Sequence, residues 1–235
     1  MTSSAARQPA QETIMQTFAA PAPITAVLAI PAGRIHFTAA DRDSTAVQIR
    51  PADPAKGRDV KLAGQTTAEY RNGILQITSP AGHRILGSSG AVEVTVQLPA
   101  GSRVEAKAAS AQLTTEGQLG AVTFDSAQAT VRVEAAAAAR ITTADGDVTV
   151  GRLGGDAEIR TAKGDITVTE AARGTVVLRT QAGAIAVGAA AGVSAALDAG
   201  TTAGRIRNAL RSAGGTPGLT IRATTTVGDI TARSL

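Results

Sequence analysis

The sequence predicts an all-β protein whose C-terminal half is a narrow, right-handed, parallel β-solenoid with a β-strand cap in front of it. Two observations carry that expectation. First, a motif of glycine, a polar residue, Ile or Val, any residue and usually Val recurs down the chain. It reads Gly146-Asp147-Val148-Thr149-Val150, Gly164-Asp165-Ile166-Thr167-Val168, Gly183-Ala184-Ile185-Ala186-Val187, Gly204-Arg205-Ile206-Arg207-Asn208 and Gly228-Asp229-Ile230-Thr231-Ala232. Its apolar openers stand 18, 19, 21 and 24 residues apart, and a fixed period of that order marks a repeat architecture. Second, aromatic residues make up only 2% of the 235 residues, so the interior must be built from Ala, Val, Ile and Leu. Such small and β-branched side chains suit a thin, layered core.

Taken in order, residues 1–15 read as a disordered tail, polar up to Thr13 and without the apolar stretch of a secretory signal. Patterned sequence begins only after Met15, which is therefore a candidate start alongside Met1. Residues 16–100 read as a cap of antiparallel or mixed strands. Residues 24–30 form a strand ended by Pro31, residues 33–38 and 45–50 form two more, and Pro51 and Pro54 punctuate a polar turn. Asn72-Gly73 is a type I′ hairpin signal. Residues 92–98 alternate apolar and polar with period two, so one face is buried. Residues 80–90, rich in Gly and Ser, read as a loop. The cap is expected to cover the sheet edge that any solenoid end leaves open.

Residues 101–235 carry the repeats. Val148 and Val150, Ile166 and Val168, and Ile185 and Val187 point inward, while Thr149, Thr167 and Ala186 point outward. A second strand follows a turn in each coil, with Ile141, Ile159, Leu178, Leu197 and Ile221 as its inward residues and Phe124 one coil earlier. Glu158, Arg160, Arg179, Asp198 and Arg222 face outward there. Two short strands and two turns fill about 18–24 residues, which gives five or six coils stacked like on like. Degenerate coils begin at residues 111–114 and 130–133. Residues 134–140, with five successive alanines, favour helix locally, but seven residues are too few to hold one alone, so they read as part of a coil.

Composition excludes several function classes. The chain has no cysteine, hence no disulfide, thiolate metal site or cysteine nucleophile. Its net charge of +4 comes from scattered Arg and Lys rather than a stripe, and stacking aromatics are scarce, so nucleic acid is not an expected partner. No transmembrane segment is expected, since no apolar run reaches the about 18–20 residues that span a bilayer. There is no nucleophile elbow, phosphate loop or dinucleotide fingerprint, and Gly154-Gly155 and Gly214-Gly215 are turn glycines. No enzyme activity and no cofactor are expected. His36 lies between Ile35 and Phe37 and faces away from both, and His83 falls in the loop, a poor pair for a metal. The expected location is cytoplasmic, with unconventional export to the cell surface as the alternative.

Two surface sets are candidate binding residues. Asp147, Asp165 and Asp229 share one repeat position and form a ladder on one face if coils stack in register. They could hold a calcium ion or supply a carboxylate pair for glycoside cleavage. The structural alternative is that Asp after Gly is turn chemistry at a strand start. Arg205 and Arg207 alternate on one strand and could face an anion, or form an ordinary solvated face.

These motifs resemble a bacterial domain-of-unknown-function family labelled "putative adhesin", whose members carry Thr-x-x-Gly-Asp-Ile-x-Val units. The most specific part is Leu197-Asp198-Ala199-Gly200-Thr201-Thr202-Ala203-Gly204-Arg205-Ile206-Arg207-Asn208-Ala209-Leu210, followed by Thr226-Val227-Gly228-Asp229-Ile230. The segment from Phe18 to Asp53, with Ala40-Asp41-Arg42 and Arg50-Pro51-Ala52-Asp53, is similar too. The resemblance implies a β-solenoid of unassigned function. The chain departs from the family pattern in its Ala-rich middle and at Ala184 and Arg205, which replace the repeat aspartate. The expected role is a non-enzymatic scaffold or interaction module with a protein or glycan partner. The alternatives are a polysaccharide-acting β-helix enzyme and a cytoplasmic regulatory partner of a membrane or transcription complex.

Overall fold

The computed structural model describes residues 15–80, 90–211 and 216–235. Residues 1–14 of the expected tail, residues 81–89 of the expected Gly/Ser loop with His83, and Gly214-Gly215 lie outside the described residues, while Met15 opens the first strand. The described residues form sixteen strands and one helix. In order it runs β1 (Met15–Ala19), β2 (Thr25–Ala40), β3 (Ser44–Pro51), α1 (Gly57–Gln65), β4 (Thr67–Arg71), β5 (Ile74–Thr78), β6 (Val92–Pro99) and β7 (Arg103–Asp145). It continues as β8 (Val148–Leu153), β9 (Ala157–Arg160), β10 (Ile166–Ala171), β11 (Gly174–Arg179), β12 (Ile185–Ala189), β13 (Ala195–Ala203), β14 (Ile206–Ala209), β15 (Leu219–Val227) and β16 (Ile230–Ser234). Among the described residues no helix is long and apolar enough to cross a membrane.

The repeats stack as parallel coils with two walls. In the front wall Val131, Val148, Ile166 and Ile185 are successive register partners, as are Val133, Val150, Val168 and Val187. In the back wall Ile141, Ile159 and Leu178 are partners. All of these are buried, and they belong to one apolar cluster that runs the length of the molecule. The alanine run lies in this stack as strand: Ala135 and Ala136 pair with Arg152 and Leu153, and both are buried. Tertiary pairing overrides the local helix preference because a short helix there would break two ladders.

The spatial order of the coils differs from their order in sequence. β16 pairs with β12 on one side and β14 on the other, and β15 pairs with β11 and β13. The coil made last along the chain is thus wedged between the two coils made before it, and β13–β14 forms the outer coil. The back-wall register is corrected accordingly. Leu178 does not stack with Ile221: its partner is Ala223, while Ile221 sits between Val176 and Leu197. Two residues of slip preserve the side-chain face, so the alternation alone could not distinguish the two registers.

The N-terminal region is mixed β. β3 is antiparallel to β1 and β6, while β2 is parallel to β5, β6 and β7. Pro31 does not end a strand. β2 passes through it, its first part pairing with residues 103–108 in the back wall and its second with residues 111–116 in the front wall. A proline fits that corner, where its missing N–H takes no ladder bond away. Asn72 and Gly73 have φ of 51° and 76°, the positive pair of a type I′ turn between β4 and β5. α1 was not foreseen. Its buried Asp59 accepts the Ala91 N–H at 3.0 Å, and Leu62 joins the core.

Candidate functional site

The corner that opens each front strand explains the repeat residue by residue. The threonine hydroxyl reaches back to the neighbouring coil's glycine carbonyl: Thr161 to Gly146 at 3.4 Å, Thr180 to Gly164 at 3.1 Å, Thr225 to Gly183 at 3.0 Å and Thr201 to Gly228 at 3.1 Å. The glycines make that approach possible. A Cβ on Gly164, Gly183, Gly228 or Gly204 would overlap the carbonyl oxygen of Gly146, Gly164, Gly183 or Gly228 respectively. This column repeats the order 164, 183, 228, 204, independently of the strand pairing.

The aspartates bond in the opposite direction, toward the following coil. Asp147 Oδ1 accepts the Asp165 N–H at 2.9 Å, and Asp165 Oδ1 accepts the Ala184 N–H at 2.7 Å. Asp229 Oδ1 accepts the Arg205 N–H at 2.9 Å. The structure therefore brings Asp147 and Asp165 onto adjacent coils and separates Asp229 from them by the coil of Ala184. Each of the three uses one carboxylate oxygen to satisfy a backbone donor of the next coil, an inter-coil bond rather than a bond within its own turn. Among the described residues no group of three or more His, Asp or Glu side chains comes together in a way that could hold a metal ion.

The two departures from the repeat acquire different meanings. Arg205 opens the outer coil, beyond which the described residues place no further coil whose N–H an aspartate could receive. Ala184 opens an inner coil and leaves the Asp229 N–H without the carboxylate that its counterparts have. Arg207 faces outward on β14, its Nη1 3.8 Å from Asp229 Oδ2, so it is linked to the neighbouring coil. His36 is about one-third exposed on the front wall, 3.1 Å from Thr38 Oγ1 and 3.7 Å from Glu116 Oε2.

The outward row of the front wall is what the coils present together. Arg132, Thr149, Thr167, Ala186, Thr231 and Arg207 are successive partners across β7, β8, β10, β12, β16 and β14. Parallel strands place them about 4.8 Å apart. The back wall instead carries an ion-pair lattice in which Glu158 takes both Arg140, at 2.7 Å, and Arg160. Two of the four aromatic side chains are committed to the core and the other two are half-buried. Phe37 and Phe124 are fully buried, and Phe18 stacks on Tyr70 with ring centroids 5.5 Å apart. Sequence reasoning missed the corner threonines as a set, although the Thr-x-x-Gly spacing was visible in every copy.

Stacked parallel coils with one shared core and a corner column of glycine and threonine define a β-repeat domain. The family profile described as Toastrack DUF4097 matches residues 31–234, and the chain belongs to that family, whose function is unassigned. Two solved structures share the fold. A "putative adhesin" from Parabacteroides distasonis superposes with a TM-score of 0.52 at 13% identity, covering 94% of this chain and 97% of that one. A "putative adhesin" from Bacteroides fragilis superposes with a TM-score of 0.51 at 13% identity, covering 96% of this chain and 99% of that one. Against curated proteins the sequence gives no match.

Proposed function

We propose that this domain is a non-enzymatic, adhesin-like interaction module whose front wall engages a repetitive glycan or protein surface. The observation that carries the reading is the in-register outward row of Thr149, Thr167, Ala186 and Thr231. A partner with a matching repeat would meet many weak contacts at once, and linked contacts of that kind raise avidity without any single strong site. The reading includes a right-handed coil of about 18–24 residues, the hand expected when parallel strands of a twisted sheet are joined by crossovers.

The test is affinity purification of the tagged protein from its own host, with separate recovery from cytosol, membrane and medium. A partner or glycan retained by the wild type and by an Arg179→Glu control, but lost from Thr149→Lys/Thr167→Lys/Thr231→Lys, supports the front wall. Capture unchanged in the triple variant refutes it. The fraction in which the complex is recovered distinguishes an intracellular module from a surface adhesin. A polysaccharide lyase or hydrolase activity that disappears in Asp165→Asn would replace this reading with an enzymatic one.

A further inference from the structure

We propose that the open edge of the outer coil, along β14, takes up an extended acidic segment of a partner protein as one more strand. This edge borders the front-wall face, whose outward row ends at Arg207, but the proposal does not depend on that face binding a partner. Among the described residues β14 pairs with β16 on one side and with no strand on the other. The Arg205 N–H donates to Asp229 Oδ1 and the Arg205 carbonyl accepts the Ile230 N–H, so residue 205 turns inward. Backbone groups alternate sides along a strand, so Ile206 and Asn208 turn their N–H and C=O groups outward. Those are the groups that an added strand would bind.

The side chains at this edge fit an incomplete stack. Ile166, Ile185 and Ile230 occupy the same repeat position in inner coils and are at most 1% exposed, whereas Ile206 is 45% exposed. A strand laid on β14 would cover it. Charge then selects the occupant. Three inner coils place an aspartate, Asp147, Asp165 or Asp229, at the corner facing the next coil, while the outer coil places Arg205 there, with Arg207 two residues on and Arg211 beyond. A carboxylate-bearing strand finds opposite charge along this edge. A second copy pairing β14 against β14 would set arginines against arginines, which is unfavourable across neighbouring strands. Arginines can also serve only to keep a sheet edge from aggregating, and the experiment separates that role from binding.

The probe is a fluorescein-labelled peptide, Gly-Glu-Val-Glu-Val-Asp-Val-Gly, titrated into the full chain and followed by anisotropy. The expected result is saturable binding that weakens about tenfold or more in Arg205→Glu/Arg207→Glu and in Asn208→Pro, with the amide resonances of Ile206 and Asn208 shifting most. Asn208 Oδ1 also accepts the Leu210 N–H, so the proline variant can disturb the turn. The same peptide N-methylated at alternate residues, tested on the wild type, provides the second measurement and should lose binding. Absence of binding, equal binding of the N-methylated peptide, or equal binding of a lysine-for-acid peptide would overturn the proposal. So would a dimer in sedimentation that Asn208→Pro abolishes, because the edge would then be occupied by a second copy.

Discussion

Ile166 and Ile206 hold the same place in the repeat, yet the first is fully buried and the second is 45% exposed. The difference lies in their neighbours: β10 has a coil on each side, β14 on one. The same contrast runs through the motif. In an inner coil such as that of Asp165 the glycine, the threonine and the aspartate each touch an adjacent coil. In the outer coil only the contacts toward β15 and β16 remain. The repeat is thus a description of what must fit between two coils, and it relaxes where one coil is missing.

The largest expected effect comes from the glycine column. Gly164→Ala would force a Cβ into the Gly146 carbonyl at a φ of +136° and should cost about 4 kcal/mol or more, read by urea unfolding. Gly200→Ala on the outer coil meets nothing and should be near neutral in the same measurement. Equal losses would break the distinction between the coils. Next, Ile166→Ala should cost about 2–4 kcal/mol, while Ile206→Ala, half-exposed already, should cost about 1 kcal/mol or less. Asp165→Ala removes the acceptor of the Ala184 N–H and should cost about 1 kcal/mol, whereas Arg205→Ala should leave thermal stability unchanged.

The smallest effect is a gain. Ala184→Asn supplies the acceptor that the Asp229 N–H lacks and should raise stability by about 0.5–1 kcal/mol. Ala184→Asp should gain less, because it would place a third carboxylate between Asp165 and Asp229. If Ala184→Asp gains more than Ala184→Asn in the presence of calcium, and not in its absence, the completed ladder binds the ion.

Much of this was legible in the sequence. The glycine-to-valine motif and its spacing placed the front wall and the inward faces of Val148, Ile166 and Ile185. Asn72-Gly73 located the hairpin. The order of the coils was not legible, because β15–β16 and β13–β14 carry the same pattern and nothing local says which is nearer to β12. A trace existed in the polar character of residues 205–209, which lack a buried partner on one side. α1 was hidden between two proline-marked turns and a hairpin, where a nine-residue amphipathic segment gives a weak signal. At the candidate site, the aspartates were found by position, but their bonds to backbone N–H groups depend on the offset between coils, which only the three-dimensional register shows.

The wedged coil has a consequence for the nascent chain on the ribosome. β13 and β14 are synthesised before β15 and β16, at a time when the rim of β11 and β12 is still uncovered. Any pairing formed then is in the wrong place and must come apart to admit the later arrivals. Folding during synthesis should therefore pass through a stalled species whose release waits on the final stretch of polypeptide. Shortening the chain by that stretch would not trim the stack at its tip: it would remove a layer from its interior.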